Sequence, residues 1–445
     1  MPHSTPSVIV VGGGAASVFV TVAVRERAAA LGLPTPAITV VGNDAVVGLG
    51  LAYGRAEPHH RLNSPASAMS LSPAEPGGFL AYLDDVGWRD GDGSAASAGS
   101  FVPRQVFGHY LASAFQALLD DSASGVSFVR GDVVAVVEAE GRSTVTLADA
   151  TELSADVVVL ALGNPPPGRV TVPTAGVART IDDPWARDAL DGIRETDSVL
   201  LIGTGLTTID IATSLARRHP GIVMTATSRR LLLPAVHLAA PVPPGPGLVS
   251  GDSLLAGDAT PPLPELLRDF GRQLRAASAA GEPWQPVLDG VRPQIHTLWR
   301  GLGVADRKRF VAHVARRWDV HRHRMAQSVW VELSGLIDAG TLTLVSDVSG
   351  QEFDVAVNCT GPNSVAARGW SPLVDALLSA GSIVPDPTGL GFDADEAGAL
   401  VSTAGAVSSR LFAVGAGLKG ALWETVAVPE MRVVATRIAE RVLPA

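Results

Sequence analysis

Four unbroken apolar residues, Val8 to Val11, run straight into Gly12-Gly13-Gly14, and the pattern returns at Val199 to Ile202, which run into Gly203-Thr204-Gly205. A short run that is apolar on every side predicts a parallel strand covered on both faces, and the glycines after it predict a sharp turn into a helix. The first helix is expected over Ala15 to Leu31, with Val18, Val22 and Ala23 on one face and Gly32 and Pro34 as its stop. The second continues over Ile209 to Arg217. Further apolar runs at Ile38 to Val41, Asp156 to Leu162, Ile222 to Ala226, Phe353 to Cys359 and Leu411 to Gly417 read as strands, and Phe79 to Leu83 and Arg104 to Leu119 as helices. Val126 to Glu138 and Ser143 to Leu147, divided by Gly141, read as an antiparallel hairpin.

Two stretches break this alternation. From Gly48 to Pro73 runs a loop rich in Gly, Pro and Ser, too long for a simple connection; it lines or covers a ligand, or is a disordered insertion, and its apolar and aromatic content favours order. Residues 240–330 repeat nothing. They begin rich in proline and become helical, with Trp284, Leu288, Val291, Ile295 and Leu298 spaced for one buried face. The expected architecture is α/β, with two Rossmann-like dinucleotide-binding domains, the second inserted in the first, plus a helical insertion. Residues 1–170 and 350–445 are assigned to the first domain and 190–349 to the second, with the insertion at about 250–330. Strands near 157 and 411 are expected to return to the sheet begun at Val8.

Composition narrows the field. In 445 residues, 47% hydrophobic and 18% charged content exclude general disorder. A net charge of −10 argues against nucleic acid or an anionic membrane as the partner. The most apolar stretch, Leu231 to Val249, holds Pro234, Pro241, Pro243, Pro244 and Pro246 and cannot span a bilayer as a helix. Residues 1–7 lack a basic signal-peptide start, so a cytoplasmic location is the expectation. The single cysteine, Cys359, excludes a structural disulfide, a Cys-x-x-Cys redox pair and a thiolate metal site.

The two turns carry the chemistry. At the first, Gly12 and Gly14 let the backbone approach a pyrophosphate, which meets the free N–H groups of the helix opening near Ala15; Ser17 stands at the third position of the G-x-G-x-x-G pattern. A merely tight strand–helix turn is the alternative. An acid for the ribose hydroxyls belongs at the end of the second strand, where the chain has Gly42-Asn43-Asp44, so that the acid is late or missing. At the second turn, Gly203, Gly205, Leu206 and Thr207 repeat the arrangement, and the following strand ends in Ser228-Arg229-Arg230. Guanidinium groups pair with a 2′-phosphate that a carboxylate would repel, which selects NADPH over NADH, unless the pair is only an exposed basic turn. From Arg300 to Arg324 eight Lys or Arg face two acids. Its end, His321-Arg322-His323-Arg324, cannot share a helix face and is no metal site; the tract binds a substrate carboxylate or cofactor phosphates, or is a solvated or interdomain face. With one turn for the hydride donor, the other holds its acceptor, for which FAD is the obvious choice. Without a cysteine pair, electrons leave to oxygen, a small organic acceptor or a partner protein.

The segments GLGLAY at 48–53, HRLNSPASAMSLSP at 60–73, FVPRQVFGHYL at 101–111, SRRLLLPAVH at 228–237 and LKGALWETVAVPEMR at 418–432 resemble the bacterial FAD/NAD(P)-binding oxidoreductase family with paired Rossmann domains. In broader outline the chain is similar to N-hydroxylating flavin monooxygenases. The resemblance implies that Gly12, Gly14 and Ser17 hold FAD phosphates, that His60, Asn63 and Met69 lie along the isoalloxazine, and that Gly203, Gly205 and Arg229 hold NADPH. Thr360-Gly361 would mark the domain junction, with Gly415, Glu424 and Thr425 closing over the flavin. For His60 and Asn63, turn and cap chemistry is the alternative. Ala15, Asn43, Arg104, Leu206, Thr207, Ser228 and Arg230 complete the candidate cofactor set; no catalytic acid or base and no metal ligand is assigned. The implied function is an NADPH-consuming, FAD-dependent monooxygenase acting through a C4a-(hydro)peroxyflavin on O₂ and a small nucleophile, an amine nitrogen being the leading candidate. An NADPH:acceptor reductase and a nucleotide-binding redox sensor without turnover stay open, as does a homo-oligomer.

Overall fold

The computed structural model describes residues 5–248 and 260–444. The first ten residues of the expected insertion, 250–259, lie outside them. Among the described residues, one six-stranded sheet gathers β1 (Val8–Val11), β2 (Ile38–Gly42), β3 (Val126–Arg130), β7 (Val157–Leu160), β13 (Ala399–Val401) and β14 (Val407–Ala413), in the order β13-β14-β7-β1-β2-β3. All pairings are parallel except that of β13 with β14. Every residue of β1 and β7 is buried, as runs with no polar face require. Val8 pairs with Ile38 on one side and with Val157 on the other, and Leu411 lies opposite Val158, so the strands near 157 and 411 do return to the opening sheet. The C-terminal helix Val428–Val442 packs along the first helix, Ala15–Ala30, where Arg27 Nε donates to the Leu443 carbonyl at 3.1 Å.

The expected hairpin is two structures. Val126–Arg130 joins the parallel sheet as β3; the chain turns at Gly131, whose N–H donates to the Gly42 carbonyl at 3.1 Å, and only β4 (Val133–Glu138) pairs antiparallel with β5 (Ser143–Leu147). With β6 (Glu152–Ala155) these form a separate three-stranded sheet.

The second sheet contains β8 (Gly176–Ile181), β9 (Ser198–Ile202), β10 (Val223–Thr227), β11 (Leu342–Val345) and β12 (Glu352–Asn358), all parallel, in the order β11-β10-β9-β12-β8. Sheet membership moves both expected boundaries. The run read as a strand at Phe353 to Cys359 pairs with β9 (Val355 opposite Val199) and with β8 (Val355 opposite Arg179), so the second domain begins by Gly176 rather than 190 and ends beyond Asn358 rather than at 349. Its apolar surfaces need the faces of β9, which is buried along almost its whole length.

The helical insertion builds its own core. Leu288, Val291, Ile295 and Leu298 are buried as the spacing predicted, and Trp284 stays half-buried beside His321. Leu263, Trp299, Phe310 and Trp318 join them, and so does Trp423 from the C-terminal segment. That last residue, at φ +68°, pins the chain before the final helix onto the insertion. No described helix is long and apolar enough to cross a membrane.

Candidate cofactor and substrate clefts

At the first turn Gly12 has φ +122°, a region that favours glycine, and a Cβ there would collide with the Ala161 carbonyl oxygen on β7's exit. Gly14 caps the helix with extended backbone, no side-chain cap and no acid in the first turn, so the N–H groups of Ala15 and its neighbours face the cleft. Ser17 is fully buried and donates to the Gly12 carbonyl. Its role is to tie the turn, which replaces the phosphate contact expected of it. A cleft of about 490 Å³ opens over this turn, with Gly12, Gly14, Asn43, Asp44, Arg55 and Gly415 among its walls.

An acid does stand at the end of the second strand. Asp44 stands beside Gly13, whose N–H it accepts, and burial raises its carboxyl pKa against the opposing pull of Arg55 and that N–H. Asn43 donates from Nδ2 to Asp132 at 2.9 Å, bracing the same wall. A glycine cradle a side chain would fill, an uncapped helix N-terminus and an acid at the second strand's end are the donor and acceptor set of a dinucleotide site. The residues present therefore fit FAD.

The second turn repeats the geometry. Gly203 has φ +126°, and a Cβ there would stand 2.6 Å from the Cys359 carbonyl oxygen; Gly205 caps the helix Leu206–Arg218 without a side-chain cap or a first-turn acid. Leu206 and Thr207 open that helix. Ser228 is used structurally: its Oγ lies 2.8 Å from Thr204 Oγ1 and accepts from Leu231 N–H at 3.1 Å. Arg229 and Arg230 are exposed, and among the described residues no carboxylate pairs with either. Arg316 was not singled out from the sequence. It donates to the Leu232 carbonyl at 3.0 Å and reaches within 3.8 Å of the position a Gly205 Cβ would take, which sets a third cation over the turn. Thr360 donates twice to the Asn358 side chain, and Gly361 has φ +89° where the chain leaves β12.

Four residues of the candidate cofactor set, His60, Arg104, Asn63 and Met69, are not among the walls of the first cleft. The ring of His60 accepts from Glu57 N–H through Nδ1 at 3.0 Å, which puts its hydrogen on Nε2, 2.9 Å from Ser214 Oγ and 3.2 Å from the Asp210 carbonyl. Burial holds its pKa down. Arg104 donates to Asp210 at 2.7 Å. Both residues fasten the loop at 55–61 and the helix at 104 to the second domain, a correction to their expected place on the cofactor. Asn63 instead borders a second cleft of about 400 Å³, where its carbonyl accepts from His237 Nε2 at 2.9 Å. Met69 is a core residue beneath the first sheet's loops.

Residues 9–165 match the FAD-NAD(P)-binding family. No curated protein matches the chain by sequence. Among solved structures, the chain is similar to L-lysine 6-monooxygenase from Pseudomonas syringae (TM-score 0.61, 16% identity, 99% of both chains). It is similar as well to ornithine hydroxylase from Pseudomonas aeruginosa (0.60, 13%, 98% of both). The ornithine N-hydroxylase of Kutzneria sp. 744 follows at 0.58 and 18%, again over 98% of both chains. At such identities the shared property is the fold, and it extends over the full length.

The segment after Gly415 closes the first domain toward the insertion. Glu424 turns its carboxylate to the insertion, accepting from Trp318 Nε1 at 2.7 Å, while its carbonyl accepts from His296 Nε2 at 2.6 Å. Thr425 is fully buried, and its hydroxyl has no partner among the described residues. Its neighbour Val426 borders the FAD cleft. Cys359 is buried, and that burial pushes its thiol up to about 12, so no thiolate is available for redox work.

Proposed function

We propose that the chain is an FAD-containing, NADPH-consuming monooxygenase acting on a small nucleophilic substrate with O₂. The observation that carries this reading is the pairing of two dinucleotide turns, the first bordered by Asp44 and the second by Arg229, Arg230 and Arg316. A carboxylate at the first accepts from ribose hydroxyls; guanidinium groups at the second meet the extra phosphate of NADPH. Bound flavin supplies the redox and oxygen chemistry. The protein's own residues bind, orient and shield. Gly12 to Gly14 and the first helix take the pyrophosphate, and the Trp299, Phe310 and Trp423 cluster holds the segment 420–425 down against the insertion to keep water out. The buried, lone Cys359 speaks against a disulfide reductase. Oxygenation at an amine nitrogen is supported by the N-hydroxylase of the same fold.

The test is stopped-flow absorbance of the purified protein, reduced with NADPH without oxygen and then mixed with oxygenated buffer. A lasting band between the oxidised and reduced spectra is expected; immediate return to oxidised flavin with peroxide release overturns the monooxygenase reading. For the cofactor, Arg229→Ala is expected to raise KM for NADPH about ten-fold or more and leave NADH nearly unchanged, as loss of one charge-assisted pair implies. Arg316→Ala, which stands over the turn itself, is expected to weaken both cofactors. Steady-state kinetics with each cofactor checks both.

A further inference from the structure

The second cleft lies where the first domain, the segment 237–242 and the helical insertion meet. Beside Arg324 (4% exposed), which is paired with Asp289, it is lined by two more polar side chains more than nine-tenths buried, Gln285 (8% exposed) and Arg322 (6% exposed). Each keeps a fully buried atom without a hydrogen-bond partner among the described residues: Oε1 of the amide, and Nε of the guanidinium, which faces Glu424 at 3.9 Å on the side away from the cleft. A buried polar group left this way lacks the hydrogen bond water would give it, and the Gln285 amide regains one if it turns to a ligand in the cleft.

The charges around these atoms are arranged in one sense. Four arginines border the cleft, Arg61, Arg292, Arg322 and Arg324, against two carboxylates. Both carboxylates are already engaged: Asp90 with Arg61 at 2.8 Å, and Asp289 with Arg324. Behind the floor, Arg292 and Arg322 share a single oxygen of Glu430, at 2.9 and 3.1 Å, and Glu424 lies 3.9 Å from Arg322. Burial favours the neutral form of Glu430, but the two guanidiniums outweigh it and hold its pKa below the usual range, so it remains a fixed anion. His237 on the wall is held neutral by burial. An ammonium entering this cleft meets no free carboxylate and stands among guanidiniums. A carboxylate meets N–H donors whose directions are already set by their partners.

Resting on the monooxygenase reading, we propose that this cleft receives the substrate as a small anionic amino acid, one that carries more carboxylates than amines. Its carboxylates seat on Arg292, Arg322 and Arg324, and its amine donates to Gln285 Oε1. The volume of about 400 Å³ suits a molecule of that size. Basic amino acids are rejected by the same guanidiniums.

Calorimetric titration of the purified full-length protein tests this without turnover, using L-aspartate, L-glutamate and succinate against L-ornithine and L-lysine. Binding of an acidic amino acid is expected, at least ten-fold tighter than either basic one. Arg322 is buried between two glutamates and its loss endangers folding, so the variants are Arg292→Gln and Gln285→Leu. Arg292→Gln is expected to weaken acidic amino acids and succinate alike, by ten-fold or more; Gln285→Leu weakens the amino acids and leaves succinate unchanged. Binding of ornithine or lysine as tight as that of the acids overturns the proposal, as does absence of any acidic ligand or indifference to Arg292→Gln. Acidic ligand binding with immediate flavin reoxidation keeps the site and removes the monooxygenase; a lasting oxygenated spectrum without acidic ligand binding does the reverse.

Discussion

Gly12 and Gly203 do the same work in different domains, and each can be tested without the other. Alanine at Gly12 meets both a positive φ and the Ala161 carbonyl, a combination worth about 1–3 kcal/mol of strain. Gly12→Ala is expected to purify with little flavin, read as the ratio of flavin to protein absorbance. Gly203→Ala is expected to keep its flavin but lose reduction by NADPH. His237 gives a pH test. Burial pushes its imidazole down to about 4, below the ordinary value of 6.5. The unfolded chain therefore takes up a proton first as pH falls, so the stability held by neutral His237 is complete above about pH 6.5 and is lost as pH drops toward 4. Melting temperature is expected to fall across that window, less steeply in His237→Gln, which keeps a donor for the Asn63 carbonyl. Residues of this kind divide sharply in how visible they are beforehand. Gly12 and Gly203 are legible because a strand that runs into such a turn has few other solutions; Arg316 is not, because it lies 112 positions from Thr204, its neighbour over the turn.

Elements were legible where pattern and length agree. The strands at 8, 157 and 199 are short, apolar on all sides and lead into glycine, and all three are where the pattern puts them, whereas the one expected at Leu411 to Gly417 begins earlier, at Val407, runs through the polar Ser408-Ser409-Arg410 and ends at Ala413. The stretch 126–138 misleads because apolar positions resume directly after the short break Arg130-Gly131-Asp132, while the parallel partner of its first half, β2, lies 84 or more residues away. The insertion's buried stripe was visible, but its short helices and its reach to Trp423 were not, since periodicity reports a face and not what covers it. A large-to-small change inside that core is expected to cost about 2–5 kcal/mol. Leu298→Ala should therefore lower the midpoint of chemical unfolding followed by tryptophan fluorescence, because Trp299 and Trp423 report on this core directly.

At the scale of the whole molecule the two sheets are joined by a small set of polar contacts: Arg104 with Asp210, His60 with Ser214, Arg218 with Glu57, and His237 with Asn63. His60 and Arg104 were expected on the cofactor because the resemblance locates their loop but not which of its sides faces the cleft. The Arg104–Asp210 pair is largely buried, and removing one partner leaves a charge uncompensated, which costs about 3–5 kcal/mol in such settings. Arg104→Met is expected to lower the melting temperature, and the double variant Arg104→Met/Asp210→Leu to recover most of it. Flavin reduction by NADPH in the double variant then measures how far the domain contact, apart from stability, sets hydride transfer.

The chain enters the second domain and leaves it along the same seam. Asn358 donates from Nδ2 to the Gly168 carbonyl at 2.9 Å, and Asn363 N–H donates to the Pro166 carbonyl at 3.2 Å. Two straps laced side by side behave as one hinge pin. A movement of the second domain against the first has to turn about this seam or break its hydrogen bonds, which ties the approach of nicotinamide and flavin to the place where the chain crosses.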